Sequence, residues 1–121
     1  MLMQVRVIAR STLKKFVLER VENSLRASVD QHLDDWYRMT LAAEWRNSAE
    51  LKLDLRSASI VSSERVVFNI KGNEFRLVVA VNYGHAAVFV LWLGTHREYD
   101  RIDVKQVEFD KGRYADPTDS N

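Results

Sequence analysis

The sequence predicts an α+β fold in which helices of the N-terminal half pack on one face of a twisted antiparallel sheet built mainly by the C-terminal half. Three observations predict it. Apolar residues recur at three- and four-residue spacing through Leu53, apolar stretches rich in Val, Phe and Leu follow between Arg65 and Leu93, and short glycine-bearing turns separate those stretches. An amphipathic helix and a half-buried sheet each carry one apolar face, and each supplies the cover the other needs.

The elements follow in order. Val5 and Val7 alternate with Gln4 and Arg6, the pattern of a short strand. Ser11 or Thr12 offers an N-cap oxygen to a helix whose stripe is Leu13, Phe16, Val17 and Val21. After the break at Asn23 and Ser24, the residues Leu25, Val29, Leu33, Trp36, Thr40 and Ala43 mark a longer amphipathic helix. Ser48 is expected to cap a short helical turn through Leu53, with Glu50 in the first turn, where the helix dipole favours an acid. Ser57 to Ser63 is polar and reads as a connection. Three strands then run over Arg65–Lys71, Glu74–Tyr83 and Ala86–Leu93, joined at Gly72-Asn73 and Gly84-His85, where glycine at the first central position suits a type II′ turn. Val107 and Phe109 suggest an edge segment, and a flexible tail is expected from about residue 112. The 121 residues fit one domain.

Composition narrows the function classes. Hydrophobic residues make up 46% and charged residues 29%, so the chain can bury a core and is not a disordered segment. With no cysteine, disulfide frameworks, thiolate metal sites and thiol nucleophiles are excluded. The opening MLMQVRVIAR lacks the unbroken apolar stretch of a secretory signal, and the longest apolar run, Ala86 to Leu93, is too short to span a bilayer. A soluble cytoplasmic protein with no membrane partner is the expectation. The net charge is only +1, and from Thr95 onward five basic residues face seven acidic ones. A polyanionic partner must therefore be held by a restricted patch.

If Gly72-Asn73 closes a two-residue hairpin, Asn69 lies opposite Arg76 and Val67 opposite Val78. Strand period then sends Arg65, Asn69, Lys71, Glu74, Arg76 and Asn82 to one face, and Val66, Phe68, Ile70, Phe75, Leu77, Val79 and Val81 to the core face. The third strand returns antiparallel, so its end at Gly94 comes back to the level of Arg76 and brings Thr95 and His96 near it. A histidine, an arginine, a lysine and an amide gathered there suit cleavage of RNA by its own 2′-hydroxyl. That reaction needs a base, an acid and cations on the phosphoryl oxygens, and no metal or cofactor. Histidine titrates near neutral pH, and arginine offers a fork of donors matched to phosphate. Tyr99 can stack on a base or share the proton work.

The stretch RVVFNIKGNEFRLVV over residues 65–79, followed by GTHREYD over residues 94–100, resembles the HigB toxin family. The upstream LKKF at residues 13–16 and AEW at residues 43–45 agree with it, so the resemblance reaches to about Asp103. It implies a RelE-like fold whose sheet is mixed at the N-terminal strand. It also implies an endoribonuclease toxin that cuts messenger RNA in the ribosomal A site and is neutralised by a HigA-like helix-turn-helix antitoxin. By motif, Arg76 matches the family's sheet arginine and His96 its TH histidine. These two and Tyr99 are the candidate catalytic residues, while Asn69, Lys71, Arg65 and Asp100 are candidates for holding RNA.

Other polar residues read more simply. His32, Asp34 and Asp35 lie on a surface helix, where adjacent positions do not converge on a metal. His85 is a turn residue, and Trp36, Trp45 and Trp92 read as core or partner-contact aromatics. Two rival functions share the fold: a module that binds RNA or the ribosome without cutting, and a gyrase-directed toxin of the ParE kind. His96 and Arg76 favour the nuclease, because a gyrase binder needs no acid-base group there.

Overall fold

A computed structural model describes residues 5–8 and 10–107. A five-stranded mixed sheet carries the fold. In chain order its strands are β1 (Arg6–Ile8), β2 (Ser59–Ile60), β3 (Arg65–Ile70), β4 (Phe75–Asn82) and β5 (Ala87–Thr95). Their spatial order is β1-β5-β4-β3-β2, with β1 parallel to β5 and the other neighbours antiparallel. The helices are α1 (Arg10–Arg20), α2 (Arg26–Ala42, entered through a 3-10 turn at Asn23–Leu25), α3 (Ser48–Asp54) and the one-turn α4 (His96–Tyr99). This is the α+β, RelE-like arrangement expected, mixed at its N-terminal strand.

The main core lies between helices and sheet. Leu13, Phe16 and Val17 of α1 and Val29, Leu33 and Trp36 of α2 share one buried cluster with Val66, Phe68, Ile70, Phe75, Leu77, Val79 and Val81. The alternation read from the sequence therefore sorts every one of those strand residues to the helix-covered side. Trp36 meets Phe68 edge-on, with ring centroids 5.6 Å apart, a geometry worth about 0.5–1.5 kcal/mol beyond area burial.

The opposite face is covered as well. Val67, Val78 and Trp92 form a second buried cluster there, packed by Tyr99, Ile102, Val104 and Val107 of the chain that follows β5. Val107, expected from the sequence in an edge segment, packs on this cluster and is not in a strand. The segment is tied down by Arg65, whose guanidinium donates to the carbonyls of Val104 (3.2 Å) and Val107.

Local details differ for identifiable reasons. Helix α1 begins at Arg10, so Ser11 and Thr12 lie in its first turn. Asn47, rather than Ser48, caps α3: its side chain accepts the Glu50 N–H at 2.9 Å. The connection over residues 57–63 contains the two-residue β2, which pairs Ser59 with Val67 and Ile60 with Val66. In the β3–β4 turn, Lys71 as well as Gly72 takes a positive φ (55° and 63°), and the strands stop at Ile70 and Phe75. In the β4–β5 turn the positive φ falls on Ala86, not on Gly84. A bulge opposite Val78 and Val79 adds one residue to β5, which runs on to Thr95. Phe109 and the tail from about residue 112 lie outside the described residues.

Candidate active site

The site is built where the β3–β4 turn meets the end of β5. The hairpin register pairs Asn69 with Arg76, as the turn geometry predicts, and β5 returns to pair Gly94 with Arg76 and Thr95 with Phe75. The His96 N–H donates to the Glu74 carbonyl at 3.0 Å, which fixes the first residue of α4 against the start of β4. Asn69, Arg76, Gly94 and His96 thus come to one end of the sheet.

Helix α4 exists because of a capping box. The Thr95 hydroxyl accepts the Glu98 N–H (3.1 Å), and the Glu98 carboxylate accepts the Thr95 N–H (2.9 Å). The other Glu98 oxygen accepts from Arg20 of α1 at 2.8 Å, so the turn that carries His96 is bound to the helix layer. Four residues beyond His96, on the same side of this short helix, Asp100 places a carboxylate oxygen 3.6 Å from the imidazole Nε2. Both side chains are about half exposed (48% and 61%).

Arg76 curls back over the turn. Its guanidinium donates to the Asn73 side-chain oxygen (2.9 Å) and to the Asn73 and Phe75 carbonyls (3.2 and 3.4 Å). All three acceptors are neutral, so the arginine keeps its charge uncompensated by these bonds. Lys71 pairs instead with Glu74 at 3.2 Å. Its left-handed backbone takes it out of the strand alternation assigned from sequence, and it borders a cavity between α2 and β3.

Two expected site residues stand apart. Arg65 pairs with Ala80, roughly 13 Å along β3 from Asn69, and its guanidinium is engaged with Val104 and Val107. Tyr99 follows His96 closely, but its ring packs on Trp92 at 6.3 Å and belongs to the second core. The His32, Asp34 and Asp35 group does not converge either. Asp34 pairs with Arg10 (3.1 Å), Asp35 accepts from Gln31 (3.0 Å) and His32 Nδ1 faces the Ser28 carbonyl (2.8 Å). Sequence reasoning missed Asn73, Glu98 and Arg20. The Thr95-x-x-Glu98 spacing was a legible signal for the second of these, whereas the Arg20 contact is long-range.

The family profile described as the RelE-like toxic component of a toxin-antitoxin system matches residues 29–102. The chain belongs to the HigB toxin family. Among curated proteins, none matches it. The matched span runs from α2 to just past α4, so it contains Asn69, Lys71, Arg76, His96, Tyr99 and Asp100, and membership in this HigB family implies an antitoxin partner. Among the described residues, no helix is long and apolar enough to cross a membrane.

Proposed function

We propose that this HigB-family toxin is an endoribonuclease that cuts translated messenger RNA in the ribosomal A site, in the cytoplasm, and that a HigA-like helix-turn-helix antitoxin restrains it. The observation that carries this reading is the meeting of the β3–β4 turn with the β5–α4 junction, where Arg76 pairs with Gly94, the His96 N–H bonds the Glu74 carbonyl and Asp100 lies 3.6 Å from the His96 imidazole. An acid-base residue beside a fixed cation is the set that phosphodiester cleavage by a neighbouring hydroxyl requires.

In the reaction the substrate 2′-hydroxyl attacks the adjacent phosphorus while a base removes its proton. The bond to the 5′-oxygen breaks as that oxygen takes a proton, leaving a 2′,3′-cyclic phosphate and a 5′-hydroxyl. No step needs a metal or a cofactor. His96 handles a proton, and Asp100 stabilises the imidazolium that results when His96 accepts one. Arg76 exchanges its neutral acceptors on Asn73 for phosphoryl oxygens, a replacement favoured because an anionic, fork-matched acceptor adds charge attraction and bidentate geometry that a carbonyl lacks. Asn69 and Lys71 flank this position and hold the neighbouring RNA backbone. Tyr99, three residues after His96, shares in the proton work or stacks on a base of the same RNA while its ring packs on Trp92. Arg65 contributes by securing the segment that covers the second core.

Expression of the protein and of its His96→Ala variant in cells, with messenger RNA ends mapped during translation, tests the reading. Cuts within translated codons are expected from the first and not from the second. Growth arrest without cleavage by either form would replace the nuclease with a non-cutting binder or a gyrase-directed toxin.

A further inference from the structure

Helix α4 is a single turn, His96–Tyr99, and it carries the acid-base pair of the proposed reaction: His96 at its start and Asp100 just past its end, their side chains 3.6 Å apart. Isolated helices shorter than about 12–15 residues are marginal in water, so one turn keeps its geometry only through contacts made to it from outside. We infer that Arg20 of α1 is a positioning residue for the cut: it grips Glu98 and thereby sets the orientation of α4, and with it the direction in which His96 and Asp100 face the RNA. The inference rests on the nuclease reading for the reaction it serves.

Glu98 is the link. One of its carboxylate oxygens accepts the Thr95 N–H at 2.9 Å, and the other accepts from Arg20 at 2.8 Å. A carboxylate held through one oxygen still turns about its last torsion, where the energy wells are broad. The capping box and the bond from the His96 N–H to the Glu74 carbonyl fix where α4 begins, and Tyr99 packs against Trp92. Arg20 adds a hold from the helix layer, on an element whose Leu13, Phe16 and Val17 are buried.

Arg20 is itself ordered for this task. Its guanidinium lies over the ring of Phe16, 5.5 Å from the centroid, and Phe16 is one turn earlier in α1. It stands in the last turn of that helix, where the dipole favours a cation. The two partners are 37% and 34% exposed, and ion pairs so open to water add little to overall stability. The effect of this one falls on the geometry of the reaction, where a misplacement of about 1 Å costs up to about 100-fold in rate. Arg20 is 78 positions from Glu98 in sequence and outside the residues 29–102 matched by the family profile, so neither motif nor match points to it.

The test compares the purified full-length protein with Arg20→Ala, Arg20→Lys, Glu98→Gln and the double variant of Arg20→Ala with Glu98→Gln. Glutamine keeps the capping box, which accepts either residue at that position, but cannot form the ion pair. Cutting of messenger RNA on translating ribosomes yields a maximal rate and a half-saturating toxin concentration, and NMR of the free protein follows the amide signals of residues 95–100. Arg20→Ala and Glu98→Gln are each expected to lower the maximal rate about tenfold, with half-saturation within about twofold and the shape of the pH profile retained. Arg20→Lys should stay within about threefold of the parent, and the double variant should fall no lower than the slower single one. The His96 and Asp100 signals should move in Arg20→Ala while Tm stays within about 3 °C of the parent. A raised half-saturation with an unchanged maximal rate would make Arg20 an RNA-binding cation, and additive losses in the double variant would remove Glu98 as the link. Either result overturns the inference, as do parental cutting by Arg20→Ala or unmoved signals at His96 and Asp100. A parent protein that cuts no RNA defeats the nuclease reading by itself, and signals that move in Arg20→Ala would then leave Arg20 as the residue that orients α4.

Discussion

Gly94 is the residue whose replacement bears most directly on how the site is held. It pairs with Arg76 and precedes the capping box, and a Cβ added there would stand 2.4 and 2.6 Å from Trp92 Cη2 and Cζ2 and 3.0 Å from a Glu98 carboxylate oxygen. Its φ is not in the left-handed region, so the obstacle is space and not backbone conformation. Trp92 is 4% exposed at the centre of the second core and cannot swing into solvent without uncovering Val67 and Val78. Overpacking of this kind costs typically about 1–3 kcal/mol, and we expect Gly94→Ala to lose about 2 kcal/mol. For a domain of this size that is a fall in Tm of roughly 6–12 °C. Thermal and urea unfolding measure it directly. A double-mutant cycle with Trp92→Phe, which removes the distal ring carbons, should return at least about 1 kcal/mol of favourable coupling between the two changes. A Gly94→Ala protein within about 0.5 kcal/mol of the parent, the range of an uninvolved surface change, would refute the argument, as would a cycle with no coupling.

Three further outcomes follow from the same contacts. Glu98→Ala removes one half of the capping box and the Arg20 pair, and it should cost about 1 kcal/mol in chemical denaturation while speeding amide exchange at Thr95. Arg65→Ala takes two carbonyl partners from the segment over the second core, so amide exchange should rise first between Ile102 and Val107, with a loss of about 1–2 kcal/mol by urea unfolding. The Glu50 carboxyl is held below its usual range by hydrogen bonds from Arg46. A carboxylate whose folded value is lowered stabilises above the unfolded value of about 4.3 and loses that contribution as pH falls through the folded value. Melts at pH 7 and pH 3 should therefore show a smaller acid-side loss for Glu50→Gln than for the parent.

The sheet's register was legible because it rests on local chemistry. A turn at Gly72-Asn73 aligns Asn69 with Arg76, and period-two alternation assigns each side chain of β3 and β4 to a face. The antiparallel return of β5 then carries Gly94 and His96 to Arg76, so the centre of the candidate site follows from turn geometry and strand order. What does not follow depends on contacts distant in sequence or on backbone exceptions. Lys71 leaves the strand alternation because it adopts a left-handed φ, which side-chain patterning does not encode. The cover over Val67, Val78 and Trp92 comes from Tyr99, Ile102, Val104 and Val107, spaced without helical or strand period, so its apolar role was hidden among charged neighbours. Arg65 was grouped with the site by parity alone. Parity gives the face but not the position along the strand, and along the strand Arg65 lies at the far end.

The chemistry at the cut ends tests the central claim most directly. Messenger RNA fragments from ribosomes translating in the presence of the purified toxin should carry 2′,3′-cyclic phosphates and 5′-hydroxyls, and both His96→Ala and Arg76→Ala should abolish them while remaining folded. Fragments ending in 3′-hydroxyls, or undiminished cutting by His96→Ala, would contradict the assignment of this site.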